Sequence, residues 1–378
     1  MTHPERWDAI VVGAGIVGAA CARALAMDGL RVLVLEGGFA GGGTTSAAMG
    51  HLVAMDDSPA QLALTALSLG LWRDVAAELP RSAEYDACGT LWIAENDMQM
   101  DAVRSKLETY RDAGIACEEI SGADALNALE PKLRPGLAGA LLVQEDAVLY
   151  PPTAAVWLLA QARKRGCVLR EGCHVDEISE HSVRCGDEWQ HAHVIVNAAG
   201  ARATALTPSL PIMPRKGHLA ITDRYPGFVR HQLVELGYLT SAHEMTSESV
   251  AFNVQPRATG QLLIGSSREL AGWDASTNRE VLRAMLDRAQ HFMPALGNTS
   301  IIRTWTGFRP ATADKLPLIG QWEPTGGVWI AAGHEGLGIT TSLGTAHLIA
   351  DMVMGRTPAI DVSFFAPNRA MPADAVAA

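Results

Sequence analysis

A chain of 378 residues with 48% hydrophobic and 19% charged side chains is long enough for two or three domains of about 150 residues, and its composition excludes disordered and fibrous classes. Thirty basic against forty-one acidic residues leave a formal charge of −11, and with no Lys/Arg stripe to offset it nucleic acid is excluded as a partner. The six cysteines (Cys21, Cys88, Cys117, Cys167, Cys173, Cys185) form no CxxC pair and no zinc spacing with histidine, so they are expected as reduced thiols, with no metal.

The apolar stretch 9–22 is broken by three glycines and closed by Arg23, well short of the ~20 residues that span a bilayer. Glu5, Arg6 and Asp8 precede it, unlike a secretory leader. A cytoplasmic protein is expected, with attachment to the inner face of a membrane left open.

The same stretch, continued to residue 38 (DAIVVGAGIVGAACARALAMDGLRVLVLEGG), predicts a strand over 9–12, a helix over 16–27 stopped by Gly29, and a strand over 32–35 ending at Glu36. Gly13, Gly15 and Gly18 make G-x-G-x-x-G: a tight turn, a close approach to a pyrophosphate, and a close contact between helix and strand. The helix start offers free N–H groups to the phosphates. Glu36 stands where an acid accepts hydrogen bonds from both ribose hydroxyls and disfavours a 2′-phosphate. This unit predicts dinucleotide binding but does not separate NAD from FAD.

Residues 37–52, GGFAGGGTTSAAMGHL, form a glycine-rich loop carrying Thr44, Thr45 and Ser46. It can bring hydroxyls and backbone N–H groups to a second phosphate and a flavin ring, or serve as a plain surface loop. Short β-rich runs follow at 89–95, 217–223, 249–256 and 260–267, with Arg257-Ala-Thr-Gly260 as a hairpin turn between the last two. Between 191 and 203, HAHVIVNAAGARA gives a buried strand over 194–197 ending in Ala198-Ala199-Gly200, small enough for close backbone approach or simply a parallel strand and turn. REVLRAMLDRAQHFM (279–293) is an amphipathic helix whose apolar residues belong to a core.

Arg309 sits in GFRPATADKLPLIG (307–320), which runs into an apolar strand ending on glycine. A planar guanidinium binds a carboxylate through two hydrogen bonds, with a geometry lysine lacks; an arginine that caps a loop for structural reasons is the competing reading. Near the C-terminus, a strand over 328–331 leads through Gly333-His334-Glu335-Gly336-Leu337-Gly338 to a helix over 340–354. This second glycine-rich helix entry returns the chain to the cofactor.

Taken together, the G-x-G-x-x-G unit with Glu36, the loop 44–52, residues 194–200, GFRPATADKLPLIG and AAGHEGLGITTSLGTAHLIADMV resemble the D-amino-acid oxidase and glycine oxidase family of FAD enzymes, over about 8–356. SVAFNVQPRATGQLLIGSSREL, WTGFRPATADKLPLIG and GHEGLGITT look most like the FAD subunits of bacterial D-hydroxyproline dehydrogenases, with opine oxidase and hydrogen cyanide synthase subunits as near relatives.

The resemblance implies an α/β fold in which a Rossmann-like FAD domain (1–80, 148–210, 310–370) is interleaved with an α+β substrate domain (81–147, 211–309) built on a mixed or antiparallel sheet, before a tail at 371–378. It implies non-covalent FAD, since no cysteine stands at a covalent flavin position in the C-terminal part. The residues it places at the cofactor are Gly13, Ala14, Gly15, Ile16, Val17, Gly18, Glu36, Gly37, Thr44, Thr45, Ser46, Gly50, His51, Leu52, Val175, Ala199, Gly200, Gly307, Arg309, Gly333, His334, Gly336, Leu337, Gly338, Ile339 and Thr340.

Arg309 matches the family's carboxylate-binding arginine, which sets the substrate Cα–H against flavin N5. His51 lies near the ring, where it can shape the pocket, bind a substrate hydroxyl or satisfy a backbone group; His334 is expected to position backbone. Tyr238, Asn253 and Arg268 line the site in relatives. The implied reaction is hydride transfer from Cα of a D-amino or imino acid, cis-4-hydroxy-D-proline ahead of D-proline, giving a cyclic imine. Glycine or D-amino-acid oxidation, an opine oxidase or hydrogen cyanide synthase subunit, an NAD dehydrogenase and a non-catalytic flavin-bearing subunit are the alternatives. Electrons pass to oxygen, partner subunits or a respiratory chain, and an oligomer is expected.

Overall fold

The strand Arg6–Val12, the helix Ile16–Met27 and the strand Val32–Leu35 form where the glycines and apolar runs predict them. The computed structural model to which they belong describes residues 6–237 and 248–371. Gly13 has φ 102°, and a Cβ there would stand 2.7 Å from the Ala198 carbonyl oxygen, while one on Gly18 would collide with the carbonyl of Gly13. Turn, helix and neighbouring strand therefore meet with no side chain between them.

Around this unit five strands run parallel in the order Val328–Ala332, Glu188–Asn197, Arg6–Val12, Val32–Leu35, Val168–Arg170, with Leu318–Trp322 antiparallel at one edge. The apolar runs of the central strands Arg6–Val12 and Val32–Leu35 are buried on both faces, as a parallel sheet requires. Ala9 and Val11 pack toward the helices Ile16–Met27, Pro151–Arg163 and Ser342–Val353, whereas Ile10 and Val12 join Val175 and Val183 of an antiparallel hairpin. That hairpin corrects one expectation. It brings Cys173 to Cys185, and the two form a disulfide with Cα atoms 6.1 Å apart, while Cys21, Cys88, Cys117 and Cys167 are free. Val175 lies opposite Cys185 in the hairpin, a pairing that cysteine spacing alone does not reveal.

The second sheet has eight strands in the order Ile301–Ala311, Met213–Thr222, Leu262–Glu269, Glu248–Pro256, Gln232–Glu235, Thr90–Ala94, Gly139–Val143, Cys117–Ser121. All pairs are antiparallel except Gln232–Glu235 with Thr90–Ala94. The expected turn at 257–260 closes with the Gly260 N–H donating to the Arg257 carbonyl, 2.8 Å.

Leu91, Ile93, Phe252, Val254, Leu262 and Ile264 pack one face against Met285, Ala289 and Phe292 of the helix Arg279–Phe292. Alternation sends Asn253 and Gln255 to the other face. The sequence predicts no strand over Ile301–Ala311; the apolar strand it places after Pro310 is the separate strand Leu318–Trp322, which runs two residues past Gly320. Ile301, Ile302, Thr304, Trp305, Thr306 and Phe308 suit a pleated surface, and Pro310 is tolerated because the strand is the sheet's edge. No helix among the described residues is long and apolar enough to cross a membrane.

Candidate functional site

Between the two sheets runs a cavity of about 320 Å³. Gly13, Gly15, Ile16, Val17 and Glu36 line one end; Gly217, Asn253, Ser266, Gly307, Arg309, His334 and Glu335 line the other. Thr44, Thr45, Gly50, His51, Ala199, Gly200, Gly336, Gly338 and Ile339 contribute between.

At the first end the Glu36 carboxylate accepts from the backbone N–H groups of Ala14 (2.7 Å) and Gly38 (2.8 Å), so it braces the glycine turn it was expected to serve. Thr45 Oγ1 accepts from the N–H of Ile16, 2.9 Å, and satisfies the first helix from a loop twenty-nine residues away. The sequence reading offered those N–H groups wholly to phosphate. Thr44 Oγ1 donates to the Phe308 carbonyl, 2.7 Å, tying the cofactor loop to the strand that carries Arg309.

His51 occupies the seam. Its carbonyl accepts from Thr340 Oγ1 (2.9 Å), Ala54 N–H donates to Asp146 Oδ1 (3.0 Å), and the Ala54 carbonyl accepts from the Tyr110 hydroxyl (2.8 Å). Antiparallel pairing of His51 with Val148 completes the clamp. Burial pushes the imidazole down to about 4, with the Arg309 charge adding to it and the Gln255 side chain opposing. It is therefore neutral near pH 7, and its Nε2 is buried without a hydrogen-bond partner.

At the far end Arg309 Nη1 donates to the Ser267 carbonyl, 2.8 Å. Glu335, with φ 48°, pairs with Arg268 at 3.2 Å and accepts from the Gly336 N–H. Burial raises its carboxyl, but Arg268, Arg309 and Arg215 outweigh that and hold it down to about 2. A second chamber of about 60 Å³, lined by Asp57, Gln61, Trp92, Arg215, Gln232, Arg268, Lys315 and Leu337, shares His51, Asn253, Glu335 and Gly336 with the first. Arg268 and Leu337 thus sit beside the main cavity. His334 is buried, bonded through Nε2 to Thr345 Oγ1 at 2.9 Å, and pushed by burial down to about 3.

Several expected residues lie outside the lining. Ala14 meets Glu36 through its N–H, Gly18 lies beneath Gly13 and Gly37 against His174. Ser46 is exposed and donates to the Gly43 carbonyl. Leu52 and Val175 are packed in apolar clusters, Gly333 lies against Thr312, and Thr340 acts from behind His51. Tyr238 falls outside the described residues. Sequence reasoning missed Arg215, Gly217, Ser266, Lys315 and the part of Glu335. The strand alternation of Met213–Thr222 was the available signal, since it puts Arg215, Gly217 and Leu219 on one face.

The lining fits a dinucleotide on structural grounds. Glycine backbone makes up much of the wall, an acid stands at one end, and the unpartnered polar atoms His51 Nε2, Asn253 Oδ1 and Ser266 Oγ belong to residues that face the cavity toward the other. A family model described as FAD dependent oxidoreductase matches residues 8–352. The glycine oxidase of Geobacillus kaustophilus (strain HTA426) is 29% identical over 385 residues, with 98% of each chain covered. A crystal structure of glycine oxidase from Geobacillus kaustophilus matches with a TM-score of 0.86 at 26% identity, covering 97% of this chain and 100% of that one. Hydrogen cyanide synthase subunit HcnC of Pseudomonas aeruginosa is 25% identical over 431 residues, with 98% of each covered. L-proline dehydrogenase from P. horikoshii shares the fold, with a TM-score of 0.87 at 22% identity over 97% of this chain and 98% of its own.

Proposed function

The chain belongs to the FAD dependent oxidoreductase family and is an FAD-dependent amino-acid oxidoreductase, and from that premise we propose that it oxidises the C–N bond of a cyclic secondary D-amino acid, cis-4-hydroxy-D-proline ahead of D-proline. The observation that carries the reading is the pair His51 Nε2 and Asn253 Oδ1, both buried, both without a partner, and both on the walls shared by the two cavities. A neutral imidazole and an amide oxygen suit a substrate that brings polar hydrogens besides its carboxylate: the ring N–H and a ring hydroxyl.

Arg309 binds the carboxylate through its guanidinium fork and thereby fixes the orientation of Cα. Bound FAD, held without a covalent bond, supplies the hydride acceptor. A substrate arriving as the free amine needs no protein base; the N–H proton is lost as the C=N bond forms, and the hydroxylated ring leaves as Δ1-pyrroline-4-hydroxy-2-carboxylate. The proposal assigns 1–80, 148–210 and 310–370 to the cofactor domain and 81–147 with 211–309 to the substrate domain, a division supported by the two sheets drawing on different segments. It includes a partner subunit or respiratory chain as electron acceptor, supported by the likeness to a hydrogen cyanide synthase subunit.

Stopped-flow reduction of the flavin under argon tests the substrate. cis-4-Hydroxy-D-proline is expected to bleach it fastest, D-proline about ten- to a hundredfold more slowly. Faster bleaching by glycine, toward which the Geobacillus kaustophilus relative points, or by an opine or an L-amino acid, sinks the proposed substrate; equal rates for the two prolines remove the hydroxyl-reading part.

A further inference from the structure

Arg309 is held in a way its own strand does not explain. On the edge strand Ile301–Ala311 it pairs with Arg215, and Gly307 pairs with Gly217, on the neighbouring strand Met213–Thr222. The guanidinium reaches across that neighbour. A Cβ built on Gly217 would stand 2.8 Å from Arg309 Cζ and 2.9 Å from Nη2, so the guanidinium occupies the space any side chain at 217 would take. Its Nη1 then donates to the carbonyl of Ser267 on the third strand, Leu262–Glu269. One side chain thus lies over three adjacent strands.

Ser267 is itself pinned. It is 1% exposed, as is His218, and its Oγ lies 2.8 Å from the His218 backbone N–H and 3.0 Å from His218 Nδ1. The N–H of Asn278 donates to His218 Nε2 at 3.0 Å, which leaves the ring proton on Nδ1, pointed at the serine. Burial lowers the His218 pKa, with Glu269 opposing and Lys216 and Arg309 adding to the fall, so the ring keeps this neutral tautomer. The order Asn278, His218, Ser267, Arg309 therefore runs through the sheet from its packed face to its cavity face.

Resting on the reading of Arg309 as the carboxylate anchor, we propose that Gly217 and the His218–Ser267 pair form the seat that fixes the Arg309 guanidinium, and so act as positioning residues for the substrate carboxylate. Gly217 supplies the floor, and Ser267 supplies the acceptor. His218 holds Ser267 in place.

Acetate, a carboxylate with no amine to oxidise, is the probe, and its Kd is read from the change it causes in the flavin absorption of the holoenzyme. Arg309→Ala should abolish the change, and Gly217→Ala should weaken acetate at least about tenfold, the order expected when a binding group is displaced by about an ångström. FAD affinity is measured in parallel. His218→Gln keeps an acceptor near Asn278 but loses the donor to Ser267, whereas His218→Asn keeps that donor; the Gln variant should bind acetate as weakly as Gly217→Ala, and Asn should recover it.

Normal acetate binding by Gly217→Ala and His218→Gln beside an impaired Arg309→Ala overturns the seat and leaves the anchor standing. Normal binding by Arg309→Ala overturns the anchor, and the seat with it. Should Gly217→Ala fail to hold FAD, the histidine pair decides: equal binding by Gln and Asn overturns the proposal, and recovery by Asn alone supports it.

Discussion

The two ends of the cavity are built on different principles. Gly13, Gly15, Gly18 and Glu36 lie within a span of 24 residues, and one strand–helix–strand unit places all of them. From the seam to the other end His51, Gly217, Asn253, Arg309 and Glu335 come from five separate segments, and each reaches the site only through strand register or a long-range clamp. A local site is fixed by backbone shape and tolerates little change in it, whereas a dispersed site is fixed by side chains whose loss leaves the fold standing. Substitutions at the first end should therefore remove the cofactor, and those at the second should spare it.

The largest effect is expected at Gly18, where an added Cβ collides with the Gly13 carbonyl and neither the helix nor the turn can retreat. Gly18→Ala should cost about 4 kcal/mol and leave a colourless protein. Flavin absorbance and the Tm check it together; a yellow protein with an unchanged Tm breaks the local half of the contrast. Next comes Arg309→Ala, which should keep FAD and lose about 3 kcal/mol of transition-state binding, roughly a hundredfold in kcat/KM. Arg309→Lys should be impaired as well, because an ammonium cannot reproduce the fork. Near-normal kcat/KM in Arg309→Ala sinks the carboxylate role.

The same contrast decides what could be read from the chain. The helix Ile16–Met27 and the strand Val32–Leu35 were legible to the residue because glycines and apolar runs mark them locally. Asn253 and Arg309 were reached through resemblance: the turn at 257–260 gives the strand of Asn253 one partner but not the cavity it faces, and nothing within ten residues of Arg309 says which strand it will pair with. Strand alternation gives Gly217 a face but not a role: its meaning lies in a guanidinium ninety-two positions on. Thr45 as the partner of Ile16 N–H and the Cys173–Cys185 bond failed for a related reason, since both arise only when a loop or hairpin has closed. Glu335 stands in a motif that drew attention to its glycines, and its charge matters only beside Arg215, Arg268 and Arg309.

Glu36 allows the local end to be probed without touching its shape. Both carboxylate oxygens accept from backbone N–H groups of the turn, and Glu36→Gln replaces one acceptor by an amide that points hydrogen at hydrogen. About 2 kcal/mol, or roughly thirtyfold in FAD Kd, is the expected loss, because bonds to a charged acceptor are the stronger kind. Fluorescence titration of the apoprotein measures it. An unchanged Kd would mean that the brace seen in the turn carries no affinity.

The smallest and most selective effect is expected at Asn253. Its Oδ1 is buried without a partner, so a substrate hydroxyl that donates to it gains a bond at no cost elsewhere, and D-proline leaves it as it is. Asn253→Leu should keep FAD, keep D-proline turnover within about twofold, and lower kcat/KM for cis-4-hydroxy-D-proline by about 1.5 kcal/mol, close to tenfold. The sign with pH follows from His51. An imidazole held down to about 4 gains its proton only as the pH falls toward that value, so between about pH 6 and 8 the ratio of kcat/KM for the two prolines should stay flat. Loss of both substrates together in Asn253→Leu would make the residue part of the general binding wall. A ratio that changes across neutral pH would mean that the group reading the hydroxyl titrates there, which a neutral His51 and an amide do not.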